Sequence, residues 1–159
     1  TIEPKNAKKF VEISKEIIKI ANNEFGFSHP TLPSLNYISF CQFIEPVKIN
    51  NLNQKEGWNT VSIRPGKLDR SPCGTGTSAR LALMREKKEI DIDEIFISRS
   101  IIGSTFETKI KEEFTKNGKQ MIKPLIKGSA FITGKQEFYV SKNDPFPEGY
   151  RLNDTWPDL

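Results

Sequence analysis

The sequence predicts a mainly β domain of the α+β class, with one N-terminal helix and one central helix. Residues 7–23 place apolar side chains at steps of three and four, which is typical of an amphipathic helix. Short segments rich in aromatic and β-branched residues follow, and Gly, Pro and Asn separate them. Residues 79–84 are largely apolar and cations follow them, which predicts the central helix.

The remaining elements follow in chain order. Residues 25–33 form a loop because their prolines and glycine interrupt regular backbone pairing. Residues 50–57 form a polar loop, and Asn117-Gly118 is typical of a hairpin turn. Segments rich in aromatic and β-branched residues predict strands over residues 37–44, 58–64, 95–98, 105–114, 121–126, 130–133 and 137–140.

Length and charge limit the classes of protein to which the chain can belong. Its 159 residues suit one compact domain, and its 24 Lys and Arg exceed its 20 Asp and Glu by four. The basic residues alternate with acidic ones, which favours a solvated surface and disfavours a nucleic-acid partner. No apolar run approaches a membrane span, and the N-terminus lacks signal-peptide form, so we expect a cytoplasmic protein without membrane contact. Because the chain begins without Met, we also expect it to be part of a longer protein.

The two cysteines occur in different surroundings. Cys41 lies in an apolar run and is predicted to be a buried small hydrophobe, whereas Cys73 lies in a Gly/Thr-rich turn. No Cys-x-x-Cys pair is present, which disfavours a disulfide framework or a zinc site. The single histidine, His29, precedes a proline in a loop and is more typical of a structural or surface residue than of a catalytic one.

Cys73 is predicted to lie at, or just before, the N-terminus of the central helix. Unpaired N–H groups and the helix dipole at that position favour a thiolate over a thiol. We therefore expect Cys73 to act as a base or a nucleophile near neutral pH. The N–H groups of Gly74, Thr75 and Gly76 could bind a carboxylate or a phosphate in the same turn.

The residues around Cys73 carry a family resemblance. Residues 69–82, DRSPCGTGTSARLA, resemble the second active-site motif of the proline racemase and hydroxyproline epimerase family, whose fold is shared with diaminopimelate epimerase. The resemblance extends over nearly the whole chain. Three further segments are similar to family segments in the same order: 102–106, 128–134 and 144–146.

The resemblance implies an architecture of two similar halves, each a curved, mainly antiparallel sheet or barrel that encloses a helix. Residues 1–159 resemble only the C-terminal half, because the Cys-Gly-His-Gly-Thr type of turn of the first half is absent. We expect the tail from about residue 144 to pack on the missing N-terminal half. An exposed apolar face on this chain could also drive self-association into a homodimer.

The resemblance also implies a reaction without cofactor or metal, in which a proline or hydroxyproline is inverted at its α-carbon. Cys73 would be one of two bases, and a Cys or Ser of the missing half would be the other. The N–H groups of Gly74 and Thr75 would hold the substrate carboxylate, and Asp69 would meet its amino group. We expect this chain by itself to be inactive.

Substrate preference depends on few positions. Proline-specific members tend to have Phe ten residues before the catalytic cysteine, whereas this chain has Ile63, which leaves more room and favours a hydroxylated proline. Packing explains Ile63 equally well. Dehydratases of 3-hydroxyproline usually have Thr at the position of Cys73, although bifunctional relatives have Cys there.

Two other classes remain open. The chain could be a non-enzymatic module that binds an amino acid or an anion. It could also be a thiol enzyme with Cys73 as the nucleophile, but His29 would have to supply the base.

Overall fold

A computed structural model describes residues 1–29, 32–150 and 152 of the chain. The chain divides into two compact units, Thr1–Ser129 and Ala130–Leu159. All helices and strands of the described residues lie in the first unit.

The first unit is an α+β structure, as predicted. A 3₁₀ turn over Pro4–Asn6 leads into the first helix. Neither α-helix in the described part of the chain is long and apolar enough to cross a bilayer. The elements are α1 (Ala7–Glu24), β1 (Phe40–Ile44), β2 (Lys48–Ile49), β3 (Lys55–Ile63), β4 (Lys67–Leu68), α2 (Gly74–Glu86), β5 (Phe96–Arg99), β6 (Thr105–Lys116) and β7 (Lys119–Lys127).

The strands form one curled, mixed sheet in a half-barrel, with the order β1-β3-β5-β6-β7. Strands β2 and β4 also pair with β3, which makes β3 the centre of the sheet. All neighbouring strands are antiparallel except β3 and β5, which are parallel. A parallel pair needs a crossover connection, and α2 provides it.

Helix α2 packs on the sheet through the apolar core of the first unit. The helix contributes Leu81 and Met84, which are 0% and 3% exposed. These side chains meet Phe96 of β5 and Ile110 of β6, together with Ile90 from the connection that follows the helix. Burial of each such side chain contributes about 1.5–3 kcal/mol, so this cluster is the main apolar attachment of α2.

Arg80 provides a polar attachment between α2 and the sheet. The side chain is 4% exposed, and its guanidinium donates to the carbonyls of Trp58 at 2.9 Å and Glu45 at 2.7 Å. It also lies over the Phe96 ring, with 5.0 Å from its central carbon to the ring centroid. Burial lowers the pKa of Arg80 to about 10, so the group remains charged at neutral pH. Gly57 leaves the room for it, because a Cβ there would lie 2.8 Å from the guanidinium carbon.

Helix α1 packs on the sheet with polar as well as apolar contacts. Ser14 is fully buried, and its hydroxyl donates to the hydroxyl of Ser62 in β3. Asn22 exchanges two hydrogen bonds, 2.8 and 2.7 Å long, with the backbone of Ile38. The rings of Phe10 and Phe43 meet with 4.9 Å between their centroids. Phe43 of β1 therefore points toward α1.

The two helices and the five longer strands of the first unit were predicted in the correct chain order, with shifted boundaries. Strand β3 begins at Lys55, so residues 55–57 belong to a strand and the prediction of a loop there was wrong. Residues 37–39 are not in a strand, since β1 begins at Phe40. Strands β2 and β4 were not predicted, because each has only two residues and two residues give no periodic pattern. At the predicted hairpin turn, Asn117 and Gly118 both have positive φ, as a primed turn requires.

The two strands predicted over residues 130–133 and 137–140 are absent from the structure. Their apolar side chains are exposed, and Ile132 reaches 98%. A strand needs a neighbouring backbone to complete its hydrogen bonds, and none of the described residues pairs with these two segments. Composition indicated the propensity correctly, but propensity alone does not supply a partner.

We predict that Gly76→Ala destabilises the protein by about 1–3 kcal/mol through overpacking. A Cβ at Gly76 would lie 2.9 Å from Val61 Cγ2 and 3.0 Å from Gln42 Nε2. Gly74→Ala is the matched control, because a Cβ there meets nothing within 4 Å. The control should change the free energy of unfolding by less than about 0.5 kcal/mol in denaturant titrations. Equal effects of the two substitutions would contradict the close contact at Gly76.

Candidate active site

A chain of short hydrogen bonds shapes the turn between β4 and α2. The Asp69 N–H donates to the carbonyl of Val61 at 2.9 Å, which ties the start of the turn to β3. The Asp69 carboxylate accepts from the Ser71 N–H at 2.9 Å, and the Ser71 hydroxyl accepts from the Cys73 N–H at 3.0 Å. Asp and Ser favour such local bonds, so the sequence itself encodes the turn.

Cys73 is the N-cap of α2, where the sequence predicts it. Its φ of 62° and ψ of 118° place it in a region that non-glycine residues rarely adopt. Its thiol accepts a hydrogen bond from the Gly76 N–H at 3.4 Å, in the position usually taken by a capping oxygen. Cys73 is only 5% exposed. The backbone therefore holds the sulfur directly at the helix N-terminus.

The expectation of a lowered Cys73 pKa was wrong for this chain. Burial raises the pKa of the Cys73 thiol, and the nearby Asp69 carboxylate raises it further. The Gly76 and Thr75 N–H groups lower this pKa, but their combined effect is smaller. A helix N-terminus therefore does not decide the charge of a thiol that is buried beside a carboxylate. At neutral pH the structure favours the protonated form of Cys73.

Gly74 and Thr75 form the exposed side of the same helix start. The N–H groups of a first helical turn have no intrahelical acceptor, so they can bind an anion. The space above Gly74 is open, since a Cβ there would have no neighbour within 4 Å. An anion could therefore approach these two residues without displacing a side chain.

A buried polar cluster, absent from the sequence predictions, supports the helix start from below. Thr77 donates to the carbonyl of Pro72 at 3.1 Å, and its hydroxyl lies 3.0 Å from that of Ser98 in β5. The Asn59 amide donates to Ser98 at 2.7 Å. In the sequence, the small polar residues at inward positions of β3 and β5 were the signal that could have indicated this cluster. The cluster joins the first turn of α2 to two strands.

Ile63 lies at the C-terminal end of β3, on the face of the sheet that carries α2. Gly76 of the helix packs against Val61 of β3, and side chains alternate between the faces of a strand, so Ile63 shares the face of Val61. Gln42 of β1, opposite Val61, contacts Gly76 on the same face. The structure thus groups Ile63 with the helix start, and it adds Gln42, which the sequence predictions did not include.

The remaining candidate groups lie elsewhere in the first unit. Cys41 is half-buried in β1, where burial raises the pKa of its thiol. His29 lies in the loop after α1, and its Nδ1 accepts a hydrogen bond from the Leu32 N–H at 3.1 Å. Among the described residues, no three His, Cys, Asp or Glu side chains are arranged to hold a metal ion.

We predict that Asp69→Asn lowers the pKa of Cys73 and speeds its alkylation at neutral pH. The substitution removes the carboxylate charge that opposes the thiolate, and Asn retains an oxygen that can accept from the Ser71 N–H. Alkylation rates measured against pH, in a Cys41→Ser background, should report this shift. Asp91→Asn, which removes a carboxylate paired with Arg85, is the control and should leave the profile unchanged. An unchanged or higher pKa in Asp69→Asn would contradict the electrostatic explanation.

Comparisons with known proteins agree with the resemblance of residues 69–82. The model of the family described as proline racemase matches residues 1–151. A hydroxyproline epimerase from Agrobacterium vitis, with bound trans-4-OH-L-proline, is 31% identical with a TM-score of 0.76. A probable proline racemase from Agrobacterium radiobacter K84, with bound carbonate, is 32% identical with a TM-score of 0.74.

The two structural matches cover nearly all of this chain but less than half of each solved protein. Each covers 98% of this chain but only 44% of the solved chain, so this chain spans less than half the length of both structures. The family model covers residues 1–151, a range that includes the motif of residues 69–82. The chain belongs to the proline racemase family.

Proposed function

We propose that this chain supplies one catalytic base and the carboxylate-binding turn of a racemase or epimerase that inverts proline or hydroxyproline without a cofactor. The observation that carries the proposal is the position of the Cys73 sulfur. It lies 3.4 Å from the Gly76 nitrogen at the start of α2, beside the exposed Gly74 and Thr75. A proton donor or acceptor and an anion-binding surface thus share one turn.

The turn can bind both the carboxylate and the ammonium group of an amino acid. The N–H groups of Gly74 and Thr75 would bind the substrate carboxylate, which lowers the cost of negative charge at the α-carbon during proton removal. Asp69 would bind the substrate ammonium. Because the Asp69 carboxylate raises the pKa of Cys73, an ammonium placed beside it would offset that effect. Substrate binding would thereby bring the thiol closer to proton transfer.

Inversion of the α-carbon requires an acid and a base on opposite faces of the substrate. The raised pKa of Cys73 suits the acid, which returns a proton, in one direction of the reaction. The opposite base would come from the N-terminal half that the longer relatives contain. A fragment with one of two bases cannot exchange the proton efficiently. We therefore expect no turnover by this chain alone.

The second unit carries surface that suits the missing half. Several of its aromatic side chains are exposed, among them Phe131 at 86% and Tyr139 at 84%. In the tail, Phe146 and Tyr150 contact each other with 5.5 Å between their ring centroids. Exposed apolar area of this extent is costly in water and is typical of an interface. We propose that these residues pack on the N-terminal half, with self-association into a homodimer as the competing outcome.

We propose hydroxyproline as the preferred substrate. The Agrobacterium vitis epimerase was solved with trans-4-OH-L-proline, and Ile63 is smaller than the Phe expected in proline-specific members. A smaller side chain beside the helix start would leave room for a ring hydroxyl. A cysteine at position 73, where dehydratases usually have Thr, favours inversion over loss of water.

We predict that Cys73→Ser in the complete protein slows exchange of the substrate α-proton with deuterated solvent by about 10³-fold or more. A serine hydroxyl has a higher pKa than a thiol, so at position 73 it would transfer the proton more slowly. Loss of the α-proton signal in nuclear magnetic resonance spectra measures the exchange. Cys41→Ser is the matched control and should keep the wild-type rate, while this chain alone should show no exchange. Unchanged exchange in Cys73→Ser would falsify the role of Cys73. A complete wild-type protein that binds the amino acid but exchanges no α-proton would instead support a binding module.

We also predict a kcat/KM for 4-hydroxyproline at least about tenfold above that for proline. Ile63→Phe should narrow this ratio, because the larger ring reduces the room for a hydroxyl. Polarimetry of both substrates measures the two rates. Comparable rates on the two substrates would refute the preference, and release of a dehydrated product from 3-hydroxyproline would indicate a dehydratase.

A further inference from the structure

The direction of α2 relative to β3 decides what lies next to Cys73. Gly76 contacts Val61, and one turn later Arg80 donates to the carbonyl of Trp58. The helix therefore runs toward lower residue numbers of β3. Moving from Gly76 back to Cys73 leads along the sheet toward Ile63. The sulfur of Cys73 is thus on the side of the sheet where β3 ends and β1 begins.

Phe40 is the first residue of β1 and lies directly opposite Ile63 in the antiparallel register. Gln42, two residues further, points toward α2 because its side chain meets Gly76. Strand alternation places Phe40 on that same face, whereas Phe43 points to the other face and packs on Phe10. Side chains directly opposite each other have Cβ atoms about 4.5–5.5 Å apart. Phe40 and Ile63 therefore form one apolar pair at the Cys73 end of the sheet.

Of this pair, Phe40 is exposed and Ile63 is partly buried. Phe40 is 41% exposed although it begins a strand whose partner residue is partly buried. Core aromatic residues such as Phe96 are fully buried in the same unit. Because Phe40 lies on the α2 face at the Cys73 end of the sheet, its exposed surface is on the side where the substrate would bind. An apolar surface there is suited to a saturated five-membered ring whose charged groups are held elsewhere.

We propose that Phe40 is a substrate-contact residue, which with Ile63 forms the apolar wall for the pyrrolidine ring. This inference rests on the proposed function of the turn. The helix start and Asp69 would hold the carboxylate and ammonium, and the Phe40 ring would contact the ring carbons on the side of β1. An aromatic residue at position 40 thereby supplies apolar contact that the smaller Ile63 does not provide alone.

The test uses the complete protein with 4-hydroxyproline and proline. Contact with unreacting ring carbons is equal in the ground and transition states, so its loss raises KM and leaves kcat unchanged. Phe40→Ala should raise KM for both substrates by about tenfold. Phe40→Leu retains part of the contact and should give a smaller rise. In a Cys73→Ser background, calorimetric titration with 4-hydroxyproline should show the same loss of affinity without turnover.

Ile44→Ala is the matched control for these variants. Ile44 lies on the same strand and the same face, is 49% exposed, and stands at the opposite end of β1 from Phe40. Its truncation should leave KM and titrated affinity unchanged. Wild-type KM in both Phe40 variants would overturn the proposal, as would a fall in kcat or stability with KM unchanged, which would indicate an interface role. A wild-type protein that inverts neither substrate would refute the proposed function itself.

Discussion

The close approach of α2 to β3 at Gly76 is the constraint on which the site depends. A Cβ at position 76 would lie 2.9 Å from Val61 Cγ2 and 3.0 Å from Gln42 Nε2, so a larger residue would force the helix or these side chains to shift. At this depth the Gly76 N–H meets the Cys73 sulfur, and Thr77 joins the buried polar cluster on β3 and β5. The packing of α2 on the sheet therefore also determines the position of the thiol.

The same depth determines the electrostatics of the turn. A helix N-terminus stabilises negative charge, but its effect is limited to roughly half an elementary charge spread over several N–H groups. Burial removes water from the thiol, and the Asp69 carboxylate places a full negative charge nearby, which disfavours the thiolate. The turn thus holds a protonated sulfur that is sensitive to any cation bound at Asp69. Such sensitivity fits the role in proton transfer that we propose for Cys73.

The polar attachments explain how a small sheet holds its helix in position. Arg80 satisfies two backbone carbonyls near the junction of β1, β2 and β3, while the apolar cluster around Leu81 and Phe96 fills the space beneath the helix. Gly57 leaves room for the Arg80 guanidinium, and Gly76 lets α2 approach β3 closely. The helix is thus fixed at two points, while Gly74 and Thr75 at its start remain exposed.

Local patterns in the sequence determined the α+β class, both helices, the five longer strands of the first unit and Cys73 as a helix cap, because periodicity and turn chemistry act over a few residues. Only the tertiary structure decided the parallel pairing of β3 with β5, the raised pKa of Cys73 and the position of Phe40 opposite Ile63. These depend on residues distant in sequence. Residues 130–140 illustrate the limit, since their strand propensity is plain but a strand forms only where another backbone completes its hydrogen bonds.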